Sequence, residues 1–171
     1  MMEAVCFDLG DTLIAEESVV HNMQGKAVAA DIVEGVPEVL QAVRDRGFKT
    51  AIIANADSTS GRNVIDHCEL GGYFDIIVIS GEIGSEKPAR EIFQFALDEL
   101  AVKANDAIMV GNRIDVDIVG ANRIGMKTVW FKWNDRYEYS IDPEEAKPNF
   151  TISNMPELLG ILDLIMKKEE V

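Results

Sequence analysis

The feature of this sequence that most constrains its fold is the alternation of short apolar runs with longer amphipathic segments. The apolar runs are rich in β-branched residues and have the length of buried strands, whereas the segments between them repeat apolar residues at helical spacing. Strands that alternate with helices through short connections form right-handed crossovers and a parallel sheet covered on both faces. The predicted fold class is therefore α/β, with a three-layer architecture in which helices flank a central parallel sheet.

The order of the predicted elements follows directly from this alternation. Strands are predicted at 4–8, 49–55, 74–80, 107–112 and 127–131, with an edge strand at 149–152. Helices are predicted at 36–46, 58–68, 88–100, 115–124 and 156–167. Pro88 is expected to open its helix at the first turn. The apolar face of that helix is predicted to contain Ile92, Phe93, Phe95, Ala96 and Leu100.

Length, charge and cysteine content restrict the class of protein. The 171 residues suit one domain over 1–171, and the formal charge of −14 disfavours nucleic acid or an anionic membrane as a partner. An anionic substrate remains compatible, because a bound cation or a local lysine inverts the field within a cleft. Two cysteines without a CxxC spacing, no basic leader and no apolar stretch of membrane length predict a cytoplasmic protein.

Polar side chains follow the predicted strands at the edge where such sheets bind ligands. In a parallel sheet, ligands lie beyond the carboxyl ends of the strands. Asp8 and Thr12 follow the first apolar run, Asn55 the second, Lys87 the third, and the stretch "GNRIDVD" at 111–117 the fourth. We therefore expect these groups to converge.

Four ordered stretches carry a resemblance to a known family. They are "CFDLGDTLI", "EGVPEVLQAVRDRGFKTAIIAN", "YFDIIVISGEIGSEKPAREIFQFAL" and "VGNRIDVDIVGANRIGMKTV". Together they resemble the haloacid dehalogenase-like (HAD) hydrolase superfamily from Phe7 to about Leu162. The resemblance implies a three-layer Rossmannoid fold and a Mg²⁺-dependent phosphate-monoester hydrolase that acts on a phosphorylated substrate.

The resemblance also implies a role for each matching residue. Asp8 would be the nucleophile that forms an aspartyl-phosphate, and Lys87 would relieve the charge of the substrate. Thr12, Asn55 and Lys87 would bind the phosphate. The implied magnesium ligands are Asp8, Gly10 through its carbonyl, Asn112 and Asp117.

The sequence departs from the family pattern at three positions. Gly10 stands where the phosphatases carry an acid/base aspartate, Ala54 where they carry a serine or threonine, and Asn112 where they carry the first metal-binding acid. Asp11 and Asp115 are neighbouring carboxylates, but Asp11 is expected to leave its loop in another direction. Loss of general acid/base help costs roughly 10²–10⁴-fold in rate, so the predicted phosphatase is weak or narrow.

Two alternatives follow from the same departures. The first is a catalytically degenerate protein of the same fold that binds or regulates. The second is a hydrolytic dehalogenase, because the dehalogenases of this superfamily also lack the acid/base aspartate two residues after the nucleophile. Its chemistry, however, resembles a lidded site without metal.

The segment 14–35 is too short for the lid domains of the superfamily. It is predicted to form a small cap-like loop with a short helix over the site. Without a lid domain, the chain resembles members of the superfamily that act on larger substrates or use a neighbouring subunit as a lid. A homo-oligomer is therefore one expectation.

The sequence also suggests roles for Arg113 and for a group of aromatic residues. Arg113 suits either a phosphate clamp or a surface ion pair. The aromatic residues near the end of the chain are expected to pack a sheet edge or a subunit interface; they are Trp130, Phe131, Trp133, Tyr137 and Tyr139.

Overall fold

The computed structural model of the chain describes residues 1–138 and 144–169. Its strands are β1 (Ala4–Phe7), β2 (Val20–His21), β3 (Ala27–Ala29), β4 (Lys49–Ala54), β5 (Ile76–Ile79), β6 (Ala107–Gly111), β7 (Lys127–Phe131) and β8 (Phe150–Ile152). Its helices are α1 (Val36–Asp45), α2 (Ser58–His67), α3 (Ser80–Ile83), α4 (Arg90–Leu100), α5 (Val119–Ile124) and α6 (Glu157–Glu169). Within these ranges, none of the helices combines the length and the apolar character that crossing a membrane requires.

Six strands form one sheet in the order β5-β4-β1-β6-β7-β8. Every neighbouring pair is parallel. This confirms the predicted fold class, including the parallel edge strand β8. The chain builds outward from β1 on one side and then crosses to the other side at β6, so the order reverses beside β1. Such a switch point opens a crevice at the carboxyl ends of the strands.

Both faces of the sheet are covered, which explains why the strand sequences are continuously apolar. In β1, Val5 and Phe7 belong to the core on one face, whereas Ala4 and Cys6 belong to the core on the other. Cys6 is fully buried, and burial raises the pKa of its thiol to about 12. Apolar burial on both faces supplies most of the driving force for this layered arrangement.

Two helices begin differently from the sequence prediction. Pro88 does not open α4; it lies in a turn after a cis Lys87–Pro88 peptide bond, and α4 begins at Arg90. The buried residues of α4 follow helical spacing, so that Leu97 shares their face and is buried, whereas Phe95 points away and is 42% exposed. Phe95 therefore does not belong to the buried stripe that was predicted.

The helix predicted over 115–124 starts as a π-helical turn. The turn covers Ile114–Ile118 and continues into α5. That helix ends at Gly125, which has a φ of +87°. Single π turns occur mostly at functional sites, because the extra residue changes the direction of the side chains that precede the regular helix.

The segment 14–35 forms a hairpin on top of α2. Its predicted short helix is a single 3₁₀ turn, Glu16–Ser18, and β2 and β3 pair antiparallel. The backbone N–H of Ala27 donates to Ser60 Oγ at 3.1 Å, and Asn63 Nδ2 donates to Ala27 O at 3.0 Å. These bonds fix the hairpin above the carboxyl edge of the sheet.

Candidate active site

A cavity of about 470 Å³ opens at the carboxyl ends of β1, β4 and β6. Its position is the crevice that the strand order creates. The polar side chains on its wall are Asp8, Glu16, Asn55, Ser60, Glu86, Lys87, Arg113 and Asp117. The structure thus brings Asp8, Asn55, Lys87 and Asp117 together from four separate stretches of the sequence.

The centre of the site is the ammonium group of Lys87. Its Nζ lies 2.6 Å from Asp8 Oδ1 and 2.8 Å from Asp117 Oδ1. Burial alone would lower the pKa of Lys87, but the carboxylates of Asp117 and Asp8 outweigh it and hold this pKa above its ordinary value. Lys87 is therefore charged, and it is the cation nearest to the nucleophile position.

Asp117 is fully buried, and its direction is set by the π turn and by a glycine. Its Oδ2 accepts the backbone N–H of Arg113 at 2.9 Å. A Cβ on Gly111 would lie 2.5 Å from Asp117 Cγ, so only glycine lets this carboxyl group pack against β6. Burial raises the pKa of Asp117 to about 7; the nearby Asp8 adds to the rise, and Lys87 opposes it.

Asn55 holds the backbone of Lys87 from two sides. Its Nδ2 donates to Lys87 O at 2.9 Å, and its Oδ1 accepts Lys87 N–H at 2.8 Å. The phosphate contact predicted for the Asn55 side chain competes with this clamp. The clamp itself gives Asn55 a positioning role, because it fixes the loop that carries the ammonium group.

Thr12 lies behind Asp8, the predicted nucleophile. It is fully buried, and its Oγ1 is 3.5 Å from Asp8 Oδ2. The described residues that line the cavity do not include Thr12. Its hydroxyl is thus directed at Asp8, while the backbone N–H of Asp8 donates to Val110 O at 2.9 Å and anchors the loop to β6.

The carboxylates of Asp11 and Asp115 each form an ion pair with an arginine. Asp11 adopts a φ of +50° and is fully buried; its Oδ1 accepts Glu16 N–H at 2.9 Å, and its Oδ2 pairs with Arg136. Asp115 forms a two-point ion pair with Arg113, with Nε 2.8 Å from Oδ1. Of the two interpretations of Arg113, the ion pair is the one observed, although the residue also lines the cavity.

The aromatic residues hold the strand-end loops. Trp130 Nε1 donates to Asn112 O at 3.0 Å, and Trp133 Nε1 donates to Asp11 O at 2.7 Å. The hydroxyl of Tyr137 donates to Glu16 Oε2 at 2.6 Å. These hydrogen bonds tie the three side chains to loops of the site, and their packing at a sheet edge or subunit interface stays a prediction; Tyr139 lies outside the described residues.

Glu16 and Glu86 are cavity residues that the sequence analysis missed, and Glu16 is the one that lies beside Gly10. It lies eight positions beyond Asp8 and belongs to no motif of the family. The only signal was indirect: a glycine at position 10, followed by a pair of glutamates in the inserted segment.

The donors at the site fit a hard cation such as Mg²⁺. Asp117 Oδ1 is buried and has no hydrogen bond of good geometry, and two carboxylates face one ammonium group. The cavity wall offers the carboxylates of Asp8 and Asp117 and the loop at Gly10 as oxygen donors, whereas Asn112 is buried and lines a separate, smaller pocket. In the described part of the chain, no three His, Cys, Asp or Glu side chains cluster as a metal site, which agrees with asparagine at position 112.

Comparisons with known proteins agree with this geometry. A sequence profile of the haloacid dehalogenase-like hydrolase family matches residues 14–131. The chain is 36% identical to the glyceraldehyde 3-phosphate phosphatase of Pyrococcus furiosus, over 77% of this chain and 54% of that protein. It is 33% identical to the N-acylneuraminate-9-phosphatase of Mus musculus, over 84% of this chain and 55% of that protein. The chain thus spans about half the length of the curated relatives it matches.

Solved structures show the same fold. A HAD phosphatase from Thermococcus onnurineus superposes with a TM-score of 0.78 at 20% identity, covering 94% of this chain and 98% of that one. An uncharacterized protein from Listeria monocytogenes serotype 4b superposes with a TM-score of 0.77 at 26% identity, covering 97% and 99%. The chain belongs to the haloacid dehalogenase-like hydrolase family.

Proposed function

We propose that this protein is a Mg²⁺-dependent phosphate-monoester hydrolase that works through an aspartyl-phosphate on Asp8. The observation that carries the proposal is the buried Lys87 ammonium group, which bridges Asp8 and Asp117 at 2.6 and 2.8 Å on the wall of the cavity. Maintaining a buried cation between two carboxylates costs desolvation energy, and such arrangements are typical of functional sites. The phosphatase names of the relatives support the same reaction class.

The chemistry assigned to Asp8 is nucleophilic attack on phosphorus. Its Oδ1 is held by Lys87, so Oδ2, with only the long contact to Thr12, is the freer oxygen for attack. A bond forms between this oxygen and phosphorus while the ester P–O bond breaks, and water then cleaves the acyl phosphate and regenerates the carboxylate. Lys87 reduces the repulsion between Asp8 and the phosphate dianion.

Asp8, Asp117, Asn112 and the Gly10 carbonyl would hold the metal. When bound, Mg²⁺ supplies Lewis-acid polarisation and charge neutralisation. Lys87 holds the carboxylates of Asp8 and Asp117 toward one point, and Asn55 fixes the loop that carries this ammonium group.

The proposed substrate is a phosphorylated small molecule. The cavity volume of about 470 Å³ lies within the usual range for small-ligand pockets, roughly 300–1,000 Å³. One wall is contributed by the segment 14–35, through Ile14, Glu16, Val19 and Ala27. We therefore include in the proposal that this hairpin acts as a small cap over a single catalytic domain, with an apolar side for the organic part of the ester.

Phosphate release from a panel of phosphomonoesters, with and without Mg²⁺, tests this function. The wild type should release phosphate only with the metal, and Asp8→Asn should abolish release because an amide cannot form the aspartyl-phosphate. Asp98→Asn, at an exposed position of α4, is the matched control and should not change the rate.

Either of two outcomes would contradict the proposal. Unchanged turnover in Asp8→Asn would exclude this residue as the nucleophile. Equal silence of wild type and variant on every ester would instead favour the binding or regulatory protein that Gly10, Ala54 and Asn112 also allow.

A further inference from the structure

The space beside Gly10 is filled by the carboxyl end of Glu16. A Cβ on Gly10 would lie 3.0 Å from Glu16 Cγ and 3.1 Å from Cδ, and closer still to Oε1. A side chain at position 10 and the carboxylate of Glu16 therefore compete for one volume. The acid/base aspartate that the family pattern carries and this chain lacks at position 10 is thus replaced in space by a carboxylate from another position.

Glu16 is held so that its two oxygens have different surroundings. The backbone N–H of Glu16 is fixed by Asp11 Oδ1 at 2.9 Å. Its Oε2 accepts the Tyr137 hydroxyl at 2.6 Å and lies 3.9 Å from Arg136 Nε, a looser contact than the pair of Arg136 with Asp11. Oε1 is directed at Gly10, beside the nucleophile loop. The side chain is 37% exposed and lines the same cavity as Asp8 and Lys87, so substrate and water both reach it.

The remaining carboxylates near the site are less suited to this position. Asp11 and Asp115 are paired with Arg136 and Arg113, and Asp117 faces Lys87. Glu86 also lines the cavity, on the loop that precedes Lys87 rather than beside Gly10. It is the competitor against which Glu16 has to be compared.

We propose that Glu16 is the general acid/base of this hydrolase, supplied by the segment 14–35 in place of an aspartate at position 10. The inference rests on the proposed function, because it needs a phosphoryl group on Asp8. It adds a catalytic residue, since Glu16 would touch the leaving-group oxygen and the attacking water.

Glu16 alone donates a proton in the first step and takes one back in the second. In the first step, an oxygen of Asp8 bonds to phosphorus, the ester P–O bond breaks, and the Glu16 carboxyl proton moves to the departing alkoxide oxygen. In the second step, water oxygen bonds to phosphorus, the bond from Asp8 to phosphorus breaks, and one water proton returns to Glu16. Phosphate and alcohol leave, and the site is regenerated.

The first test compares Glu16→Gln with the wild type on two esters. On glycerol phosphate, whose alcohol is a poor leaving group, kcat should fall by roughly 10²–10⁴-fold. On p-nitrophenyl phosphate the leaving group needs no proton, so the first step should survive while the second is slowed. Glu16→Gln should then release a burst of one p-nitrophenolate per site and accumulate phosphorylated protein, a signature that a merely structural role would not produce.

Two control variants accompany this test. Glu17→Gln changes the same residue type one position on, at a side chain that is 73% exposed, and should leave both esters unaffected. Glu86→Gln tests the competitor, and the burst should be absent from it. Thermal unfolding of each variant shows whether it is folded.

The second test moves the carboxylate back to position 10. Glu16→Ala should be slow, and Gly10→Asp in the presence of Glu16 should also be slow because the two side chains collide. The double variant Gly10→Asp/Glu16→Ala removes the collision and should regain at least about tenfold of the rate lost in Glu16→Ala.

The outcomes separate this inference from the function on which it rests. A wild type silent on all esters would overturn both. An active, Asp8-dependent wild type whose Glu16→Gln variant is unchanged, or whose burst appears in Glu86→Gln instead, would overturn only the role of Glu16. A double variant no faster than Glu16→Ala would also count against it.

Discussion

Two glycines at the site leave room for the carboxylates of neighbouring acidic residues. Gly10 makes space for Glu16 and Gly111 for Asp117, and neither has a positive φ. Their value is therefore the missing Cβ rather than backbone freedom. In both cases a neighbouring acid occupies the volume that any larger residue would take.

Replacing Gly111 should misdirect Asp117. In Gly111→Ala the new Cβ would lie 2.5 Å from Asp117 Cγ and 2.6 Å from its Cβ, so the carboxyl group has to move away from Lys87. We expect kcat for phosphate release to fall at least about tenfold and the free energy of unfolding to fall by about 1–3 kcal/mol.

Gly71→Ala is the control for this change, because a Cβ there meets no atom within 4 Å. It should alter neither the rate nor the unfolding midpoint measured by circular dichroism. A Gly111→Ala variant that behaved like Gly71→Ala would show that the direction of Asp117 does not depend on this glycine.

The residues that the sequence predicted and those that it missed differ in how they are brought together. Asp8, Lys87 and Asp117 follow strand ends, and parallel strands deliver their ends to one edge, so their convergence was foreseeable. Glu16 and Tyr137 meet across 121 positions through two loops, and no periodicity reports such a contact. The clamp of Asn55 on Lys87 was missed for the same reason, since it depends on the path of a loop.

At the scale of elements, the order of strands and helices was predictable, but the starts of two helices were not. The strand at 127–131 is found with the predicted bounds. Gly47 and Gly125, which follow α1 and α5, both lie in the left-handed region. The starts of α4 and α5 shift because Asn55 fixes the loop before one and Asp117 folds back into the site before the other. Tertiary contacts with the site thus override local helix signals.

A close approach between α4, α5 and the Pro88 turn provides the test at this scale. A Cβ on Gly120 would lie 2.7 Å from Phe93 Cζ and 3.0 Å from Pro88 Cα. A glycine in a helix interior normally costs about 1 kcal/mol relative to alanine, but the collision outweighs that gain. Gly120→Ala should therefore lower the free energy of unfolding by about 1–3 kcal/mol in urea titrations.

The matched variant for this test is Gly160→Ala in α6. A Cβ there meets no atom within 4 Å, so alanine should raise the free energy of unfolding by up to about 1 kcal/mol. Opposite signs for the same substitution in two helices would isolate the packing effect. Stabilisation by both would show that Phe93 and Pro88 move aside without cost.

At the scale of the whole molecule, net charge and metal binding both act on stability when a magnesium salt is added. The formal charge of −14 destabilises the compact state through self-repulsion, and any salt screens it. A cation bound only by the folded site adds a separate contribution, about 2.7 kcal/mol at a hundredfold excess over its Kd. NaCl at equal ionic strength therefore separates the two effects.

We expect MgCl₂ to raise the unfolding temperature more than NaCl of equal ionic strength. The excess should disappear in Asp117→Asn, whose amide is a weaker ligand, whereas the response to NaCl should persist in that variant. Differential scanning calorimetry measures both. Equal shifts from the two salts in the wild type would indicate that Mg²⁺ acts on this chain through screening alone.

The two hydrogen-bonded links that Arg136 and Tyr137 make to Asp11 and Glu16 have a consequence for biosynthesis. Asp8 precedes Tyr137 in the chain and leaves the ribosome before it, whereas the tyrosine that orients the carboxylate of Glu16 follows only after β7 has been made. A nascent chain that stops before β7 would carry Asp8, Lys87 and Asp117 and still lack the tyrosine that holds Glu16. The order of synthesis therefore delays the complete site until nearly the whole sheet has been made.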